Sequence, residues 1–466
     1  MSTLDEVIAR VLNIPVEDVD DELGYQSVRQ WDSLGHVTLM VALENEFGWD
    51  VTDETMLELR SVAALRRHAA AVSGSAQTPQ PRPPQPEPAP VPVTVHRGLE
   101  GIVFDRSAVT YIGGAEGVLE YRGYSIHDLA ARSRFEEVAH LLIHGRLPDH
   151  ENLRAFEKEL ASQRRLPDRV LELVYALRDA KPVDALRTCV SALGAFESEP
   201  SDQDESFEAA RNTGTRLLAQ VPTLIAAHHA VRSGRDAVEP PEGGSHAEAF
   251  LTMLLGESPS PATVEFINRS LIVHADHSAN ASAFSARIAV SCRAGMTAAI
   301  TSAIAAFSGS VHGGAAERVL DQIDAVGRPE HAAEHVRRLR ALNQPVMGFG
   351  HRVYRTEDPR VRHLRASVEE LSREHEDFLG LRVADAISAE MSHYTRLGVA
   401  PNVDLYAGLA YRLIGLPKDL AVPMFVAGRT AGWVAQALEQ HENNVLIRPL
   451  LEYTGPHGLP YPKAVS

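Results

Sequence analysis

At 466 residues, with 44% hydrophobic and 23% charged residues, the chain has the composition of a soluble globular protein with more than one domain. It holds no run of about 18 apolar residues that would mark a membrane span. A formal net charge of −17 argues against a nucleic-acid partner, which calls for a basic footprint. The two cysteines, Cys189 and Cys292, both lie in apolar helical runs; they make no disulfide framework and point to a cytoplasmic compartment.

The charge is unevenly spread. Residues 1–72 hold 14 Asp/Glu against 5 Arg, so this short segment carries −9 of the total. Its start, "MSTLDEVIAR", lacks a basic region followed by an apolar one, and no secretory signal is expected. "LDEVIARVL" (4–12) places Leu4, Val7, Ile8 and Val11 on one helical face. Asp32 or Ser33 is suited to cap a second helix beginning at Leu34, with Leu34, Val37, Met40 and Val41 as its apolar stripe. "SVAALRRHAA" (61–70) predicts a third helix. The segment therefore reads as a small helical bundle.

Composition then breaks sharply. From Ser73 to Pro92 the chain reads "SGSAQTPQPRPPQPEPAPVP". Proline fixes φ and removes a donor, so this stretch predicts extended polyproline II rather than packed structure. At about 3.1 Å per residue its proline-rich part spans roughly 45–50 Å, enough for a tether between two working domains.

Beyond the tether, "GIVFDRSAVTYIGG" (101–114) is the best strand candidate, leading into "GVLEYRG". Most other periodicity is helical: "RFEEVAHLLIHG", "RVLELVYALRDA", "DALRTCVSALGAF", "EAFLTMLLG", "AGMTAAITSAIAAF" and "VAQALEQ". The expected fold class is all-α, a small helical bundle tethered to a larger helical body.

Four stretches concentrate polar residues between helices: "VHADHSANAS" (273–282), "SVHGGAAE" (310–317), "GFGHRVYRTEDPR" (348–360) and "PNVDLYAGL" (401–409). His274 and His277 stand three apart, but no carboxylate–histidine spacing or cysteine pair completes a metal site, and no metal is expected. Neither a GxxxxGK[ST] phosphate loop nor a dinucleotide GxGxxG after a strand is present.

The order HGGA, GFGHRVY, DPR, NVD resembles the citrate synthase and 2-methylcitrate synthase family. The resemblance runs from "RGLEGIVFDRSAVTYIGGAEGVLEYRGYSIHDLA" (97–130) to "LIRPLLEYTGP" (446–456). It implies an acyltransferase that condenses an acyl thioester, such as acetyl-CoA, with oxaloacetate or a similar 2-oxo dicarboxylate. A thioester α-proton is weakly acidic, so enol formation needs a base on carbon and a donor on oxygen together. By resemblance Asp404 is the base and His312 the donor, with Gly313 and Gly314 letting backbone come close beside it. His351 matches the histidine that protonates the acceptor carbonyl, and His277 another acceptor contact. Arg360, Arg429 and Arg448 match three carboxylate-binding arginines, whose forks suit the task. Arg448 resembles the one supplied by a neighbouring subunit, which implies a homodimer. Val346, Gly348 and Asn402 are candidate contacts for the CoA thioester. The family further implies a smaller closing subdomain, about 314–416, within a domain of residues 97–466.

The chain departs from the family in having Ser278 after "HADH", Ser310-Val311 before His312, Ala316 where asparagine is usual, and "KPVD" (181–184) for "HPMD".

"WDSLGHVTLMVALENEFG" (31–48) resembles an acyl carrier protein, in which Asp-Ser-Leu opens a helix and the serine takes a 4′-phosphopantetheine arm. Ser33 is the matching position. Trp31 stands where a small or apolar residue usually precedes the aspartate. The implied organisation is a carrier-like domain (1–72), a linker (73–96) and the synthase-like domain. A phosphopantetheinyl transferase and acyl-loading enzymes are then the expected partners. Two other readings differ in kind: a non-catalytic scaffold with a degenerate synthase domain, and an active synthase whose front domain only docks.

Overall fold

The computed structural model describes residues 3–25, 27–28, 30–31, 33–73, 95–99, 101–196 and 206–459. Asp32 and nearly all of the proline-rich stretch lie outside the described residues, as do the side chains of Ser33 and Ala316. The chain divides into two compact units, Met1–Thr94 and Val95–Ser466.

The first unit holds α1 (Leu4–Leu12), α2 (Ser33–Phe47), α3 (Asp53–Glu58) and α4 (Val62–Ser73). α1 starts in a reciprocal cap. The Glu6 N–H donates to Thr3 Oγ1, and the Glu6 carboxylate accepts the Thr3 N–H (2.7 Å). The helix ends where Asn13 turns left-handed at φ 51°. Val7, Ile8 and Leu12 pack with Trp31, Leu39, Met40, Leu43 and Leu65. α3 is too short for helical periodicity to reveal it. Sequence patterning also misplaced the face of α2. Met40 is buried as expected and the Leu34 side chain lies outside the described residues, but Val37 and Val41 are exposed, and the helix buries His36, Leu39 and Leu43 with Met40. α2 is apolar on two sides, so its pattern alone does not choose between them.

The second unit is helical and carries a small antiparallel meander, β1 (Thr110–Gly113), β2 (Val118–Tyr121) and β3 (Tyr124–Ser125), in the order β1-β2-β3. Thr110 pairs with Tyr121 and Ile112 with Leu119. The strand expected over 101–114 is thus confined to its last residues, because only those find a partner. The predicted helices occur, among them Phe135–His144, Pro182–Ala195 and Met296–Phe307.

At the centre run two long helices, Phe207–Arg232 and Ala421–Glu442, buried on most sides. Two glycines let the second lie backbone-to-backbone on the end of helix Pro261–His274. A Cβ at Gly428 would meet the Leu271 carbonyl at 2.8 Å, and one at Gly432 would meet the Ala275 carbonyl at 2.2 Å. The Gly432 N–H donates to that Ala275 carbonyl (3.0 Å). No helix of the described residues is long and apolar enough to cross a membrane.

Candidate active site

The close helix contact delivers Arg429 to the site. Its Nε–H donates to the His274 carbonyl (2.5 Å), and its guanidinium lies 5.9 Å from the Phe307 ring centroid. Arg429 is buried, and no ion pair joins it to a carboxylate among the described residues. Burial pulls it down to about 10, against the opposing pull of Asp276. A buried cation in this state is a receptor for an anion.

The loop after His274 is pinned by Asp276, which is fully buried. One of its carboxylate oxygens accepts from Thr110 Oγ1–H (2.5 Å), Gln436 Nε2–H (3.0 Å) and the Ser278 N–H (3.0 Å). The Tyr121 hydroxyl donates to the Asp276 carbonyl (3.0 Å). His277 is thereby held in place, with Nε2 3.2 Å from the Tyr354 hydroxyl and its ring 5.0 Å from that of His351. Burial pushes His277 well below the usual histidine range. The charges of Arg360, His351, Arg429 and His312 push the same way, so these groups surround it.

His351 has a defined tautomer. Its Nδ1 accepts the backbone N–H groups of Val353 (2.9 Å) and Tyr354 (3.1 Å), so in the neutral ring the proton sits on Nε2. Burial, reinforced by Arg360 and opposed by Asp358, lowers its pKa to about 4. Arg360 itself is engaged. Its Nε and Nη2 donate to the two oxygens of buried Asp358 (2.9 and 2.6 Å).

His312 sits in the turn before helix Ala315–Val326. Its Nε2 lies 2.9 Å from Ser282 Oγ, which also takes the Trp433 indole N–H (3.2 Å) and lies 2.6 Å from Asn280 Oδ1. Burial, then Arg429, brings His312 to about 4. Gly313 is required here, because a Cβ would stand 2.4 Å from the Phe307 carbonyl. Gly314 is not, since its nearest neighbour would be an ordinary 3.4 Å contact.

Asp404 opens helix Asp404–Leu413, and its N–H donates to Asn402 Oδ1 (3.1 Å). Burial raises its pKa to about 6; Arg360, Arg318 and Arg429 pull down and Asp358 pushes up. Asn402 also ties the loop together: its N–H donates to the Gly348 carbonyl (2.9 Å) and its Nδ2–H to the Gly350 carbonyl (3.0 Å). Val346 is buried in the apolar core. Arg448 stands apart from this cluster, exposed on the irregular segment after helix Ala421–Glu442. Ser33 belongs to the first unit.

Sequence reading did not single out Asp276, Ser282, Tyr354, Asp358 or Trp433. The signal for the first two was a polar side chain at each end of the short break between helices. Trp433 carried no signal, being one more apolar residue on a buried helix. Among the described residues no group of three or more His, Cys, Asp or Glu is placed to hold a metal ion.

Residues 98–450 match the citrate synthase C-terminal domain family, and residues 2–69 the phosphopantetheine attachment site family. The chain is 40% identical over 371 residues to citrate synthase 2 of Bacillus subtilis, covering 78% of this chain and 96% of that one. It is also 40% identical over 367 residues to 2-methylcitrate synthase 2 of Corynebacterium glutamicum, covering 78% and 95%. The citrate synthase of Thermoplasma acidophilum, solved as a ternary complex with carboxymethyl coenzyme A and oxaloacetate, superposes with a TM-score of 0.75. It has 28% identity and covers 80% of this chain and 99% of its own. The chain therefore belongs to the citrate synthase family, a citrate synthase-type enzyme with a phosphopantetheine-attachment module at its front.

Proposed function

We propose that the enzyme condenses an acyl thioester with oxaloacetate or a similar 2-oxo dicarboxylate to give citrate or an analogue. The observation that carries this reading is one buried carboxylate raised to about 6 that shares the neighbouring guanidiniums of Arg360 and Arg429 with two histidines kept neutral. Asp404 takes the thioester α-proton while His312 donates to the thioester oxygen, so neither full carbanion nor free enolate forms. The enol carbon attacks the acceptor ketone, whose oxygen takes the Nε2 proton of His351. Arg360, Arg429 and Arg448 hold the acceptor carboxylates with His277, and Val346, Gly348 and Asn402 line the thioester side. Residues 314–416 close over both substrates.

Thiol release from acetyl-CoA in the presence of oxaloacetate tests this directly. The rate is expected to fall about tenfold per pH unit below about 6, as Asp404 takes up a proton and loses its capacity as base. An ordinary aspartate would hold its rate down to about 4. A profile flat to pH 4.5 removes Asp404 from this role.

Arg448 completes the site of a neighbouring copy, making the protein a cytoplasmic homodimer with shared sites. Mixing Asp404→Asn and Arg448→Ala proteins is expected to restore about a quarter of parental activity, because half the dimers are hybrid and each has one intact site. No recovery after demonstrated subunit exchange argues for sites within one chain.

The first unit (1–72), on its linker (73–96), carries the acyl donor. A 4′-phosphopantetheine on Ser33 would supply a thiol that holds the acyl group as a thioester. The fit is favourable, since Ser33 is the first residue of a 15-residue helix with no acidic side chain in its first turn. A phosphodiester there meets the positive helix end. Tethering of this kind supplies effective concentrations around the millimolar range. Exposure to a phosphopantetheinyl transferase and coenzyme A is expected to add one arm to the intact mass, and none in Ser33→Ala. That variant should keep its turnover of free acyl-CoA. A parent that refuses the arm while turning over free acyl-CoA fully leaves the first unit as a docking module.

A further inference from the structure

We propose that Trp31 and His36 are positioning residues for the modification of Ser33, joined in a buried latch that sets the start of α2. The inference rests on the carrier reading of the first unit.

Trp31 is fully buried, and its indole N–H donates to His36 Nδ1 (3.0 Å). The other ring nitrogen, His36 Nε2, donates to the Met56 carbonyl (2.8 Å). The roles are fixed from both sides: an indole nitrogen only donates, and a carbonyl only accepts. The ring proton of His36 that meets the carbonyl therefore sits on Nε2. Met56 lies in the last turn of α3, where carbonyls have no partner within the helix, so His36 also caps that helix. The imidazole is enclosed by Tyr25 edge-on (5.5 Å) and by the Trp31 ring at 6.2 Å.

Trp31 stands two residues before Ser33 and His36 three after it. One buried hydrogen bond thus brackets the attachment position, and the second anchors that bracket to α3. This gives Trp31, the departure from the carrier pattern, a specific task. Arm transfer joins Ser33 Oγ to the pantetheine phosphate of coenzyme A and breaks its pyrophosphate bond. It releases adenosine 3′,5′-bisphosphate, the hydroxyl proton passing to a base on the transferase. Such in-line transfer depends steeply on how the nucleophile is presented. A bracket held by one buried and one half-buried hydrogen bond fixes the backbone around the entry to α2, the frame from which the serine is offered.

The test follows arm attachment to the full-length chain by intact mass against time, with coenzyme A and a phosphopantetheinyl transferase. It is run where circular dichroism and melting show each variant folded. Trp31→Phe removes the N–H together with part of a buried ring, and His36→Phe removes both hydrogen bonds while keeping a ring in place. Each is expected to lower kcat/KM for arm transfer at least tenfold. The double variant should be no slower than His36→Phe, because the two residues act as one unit. His36→Gln, which offers one acceptor and one donor, should recover to within threefold of the parent. Folded single variants modified within twofold of the parent would overturn the latch, as would single effects that multiply in the double variant. If the parent itself gains no mass, the carrier reading fails and takes this inference with it. If the parent is modified and the variants keep pace, only the latch fails.

Discussion

Asp404→Asn is expected to lower condensation by about 10³-fold while leaving the fold intact. The amide keeps the shape of the side chain but accepts no proton from carbon. The substitution also removes a carboxylate that burial holds near 6, so the folded state loses an unfavourable charge rather than a favourable one. The sign is simple: a carboxyl raised in the folded state costs stability above its unfolded value near 4, and asparagine pays no such cost. The melting temperature should equal or exceed that of the parent. Thiol release and hydrogen–deuterium exchange at the thioester methyl are the two measurements. Retention of either within tenfold of the parent removes Asp404 from the base role.

Arg429→Met is expected to separate binding from stability even more clearly. In the proposed reaction the guanidinium receives an acceptor carboxylate, and removing one partner of a buried charge pair costs about 3 kcal/mol, or about 10²-fold in KM for oxaloacetate. In the free enzyme the same group is a liability. Its value is depressed by burial to about 10, so the fold pays about 3 kcal/mol to keep it charged at neutral pH. That cost is present below pH 10 and is relieved as pH rises through the folded value towards the ordinary one. Methionine fills similar volume without the charge, although the His274 carbonyl loses its donor, at about 1 kcal/mol. KM should therefore rise while the melting temperature of the unliganded protein holds or increases. Unchanged KM, or a fall in stability with no change in KM, would make Arg429 a structural cation only.

Of the residues gathered around His277, His312, His351 and Arg360 were legible as polar breaks between apolar helices, whereas Arg429 sits inside a buried helix and was legible only through the family resemblance. Their supports were not legible. Asp276 is held by Thr110 and Gln436, which lie 166 and 160 residues away along the chain, and no local pattern joins them. The tautomer of His351 depends on two backbone N–H groups of a loop conformation that composition does not reveal. In the first unit the helices were evident, but the face of α2 was not. Its buried side is chosen by Trp31 and by the carbonyl of Met56, twenty residues beyond His36. Helical periodicity reports that a face exists, and tertiary partners decide which one is covered.

The backbone contact at Gly428 and Gly432 carries a consequence for how substrate preference can change. Where two helices meet through side chains, a substitution on one is absorbed by repacking on the other. Here the nearest atoms facing the two glycines are the main-chain carbonyls of Leu271 and Ala275, and main chain has no rotamers to exchange. The wall presenting Arg429 and the loop of His277 is consequently a casting, set once by the covalent geometry of two helices. Adaptation to a longer acyl chain or a different acceptor then falls to other segments, such as those that bring His351, Asn402 and Asp404. Relatives with new specificities should differ there and keep both glycines.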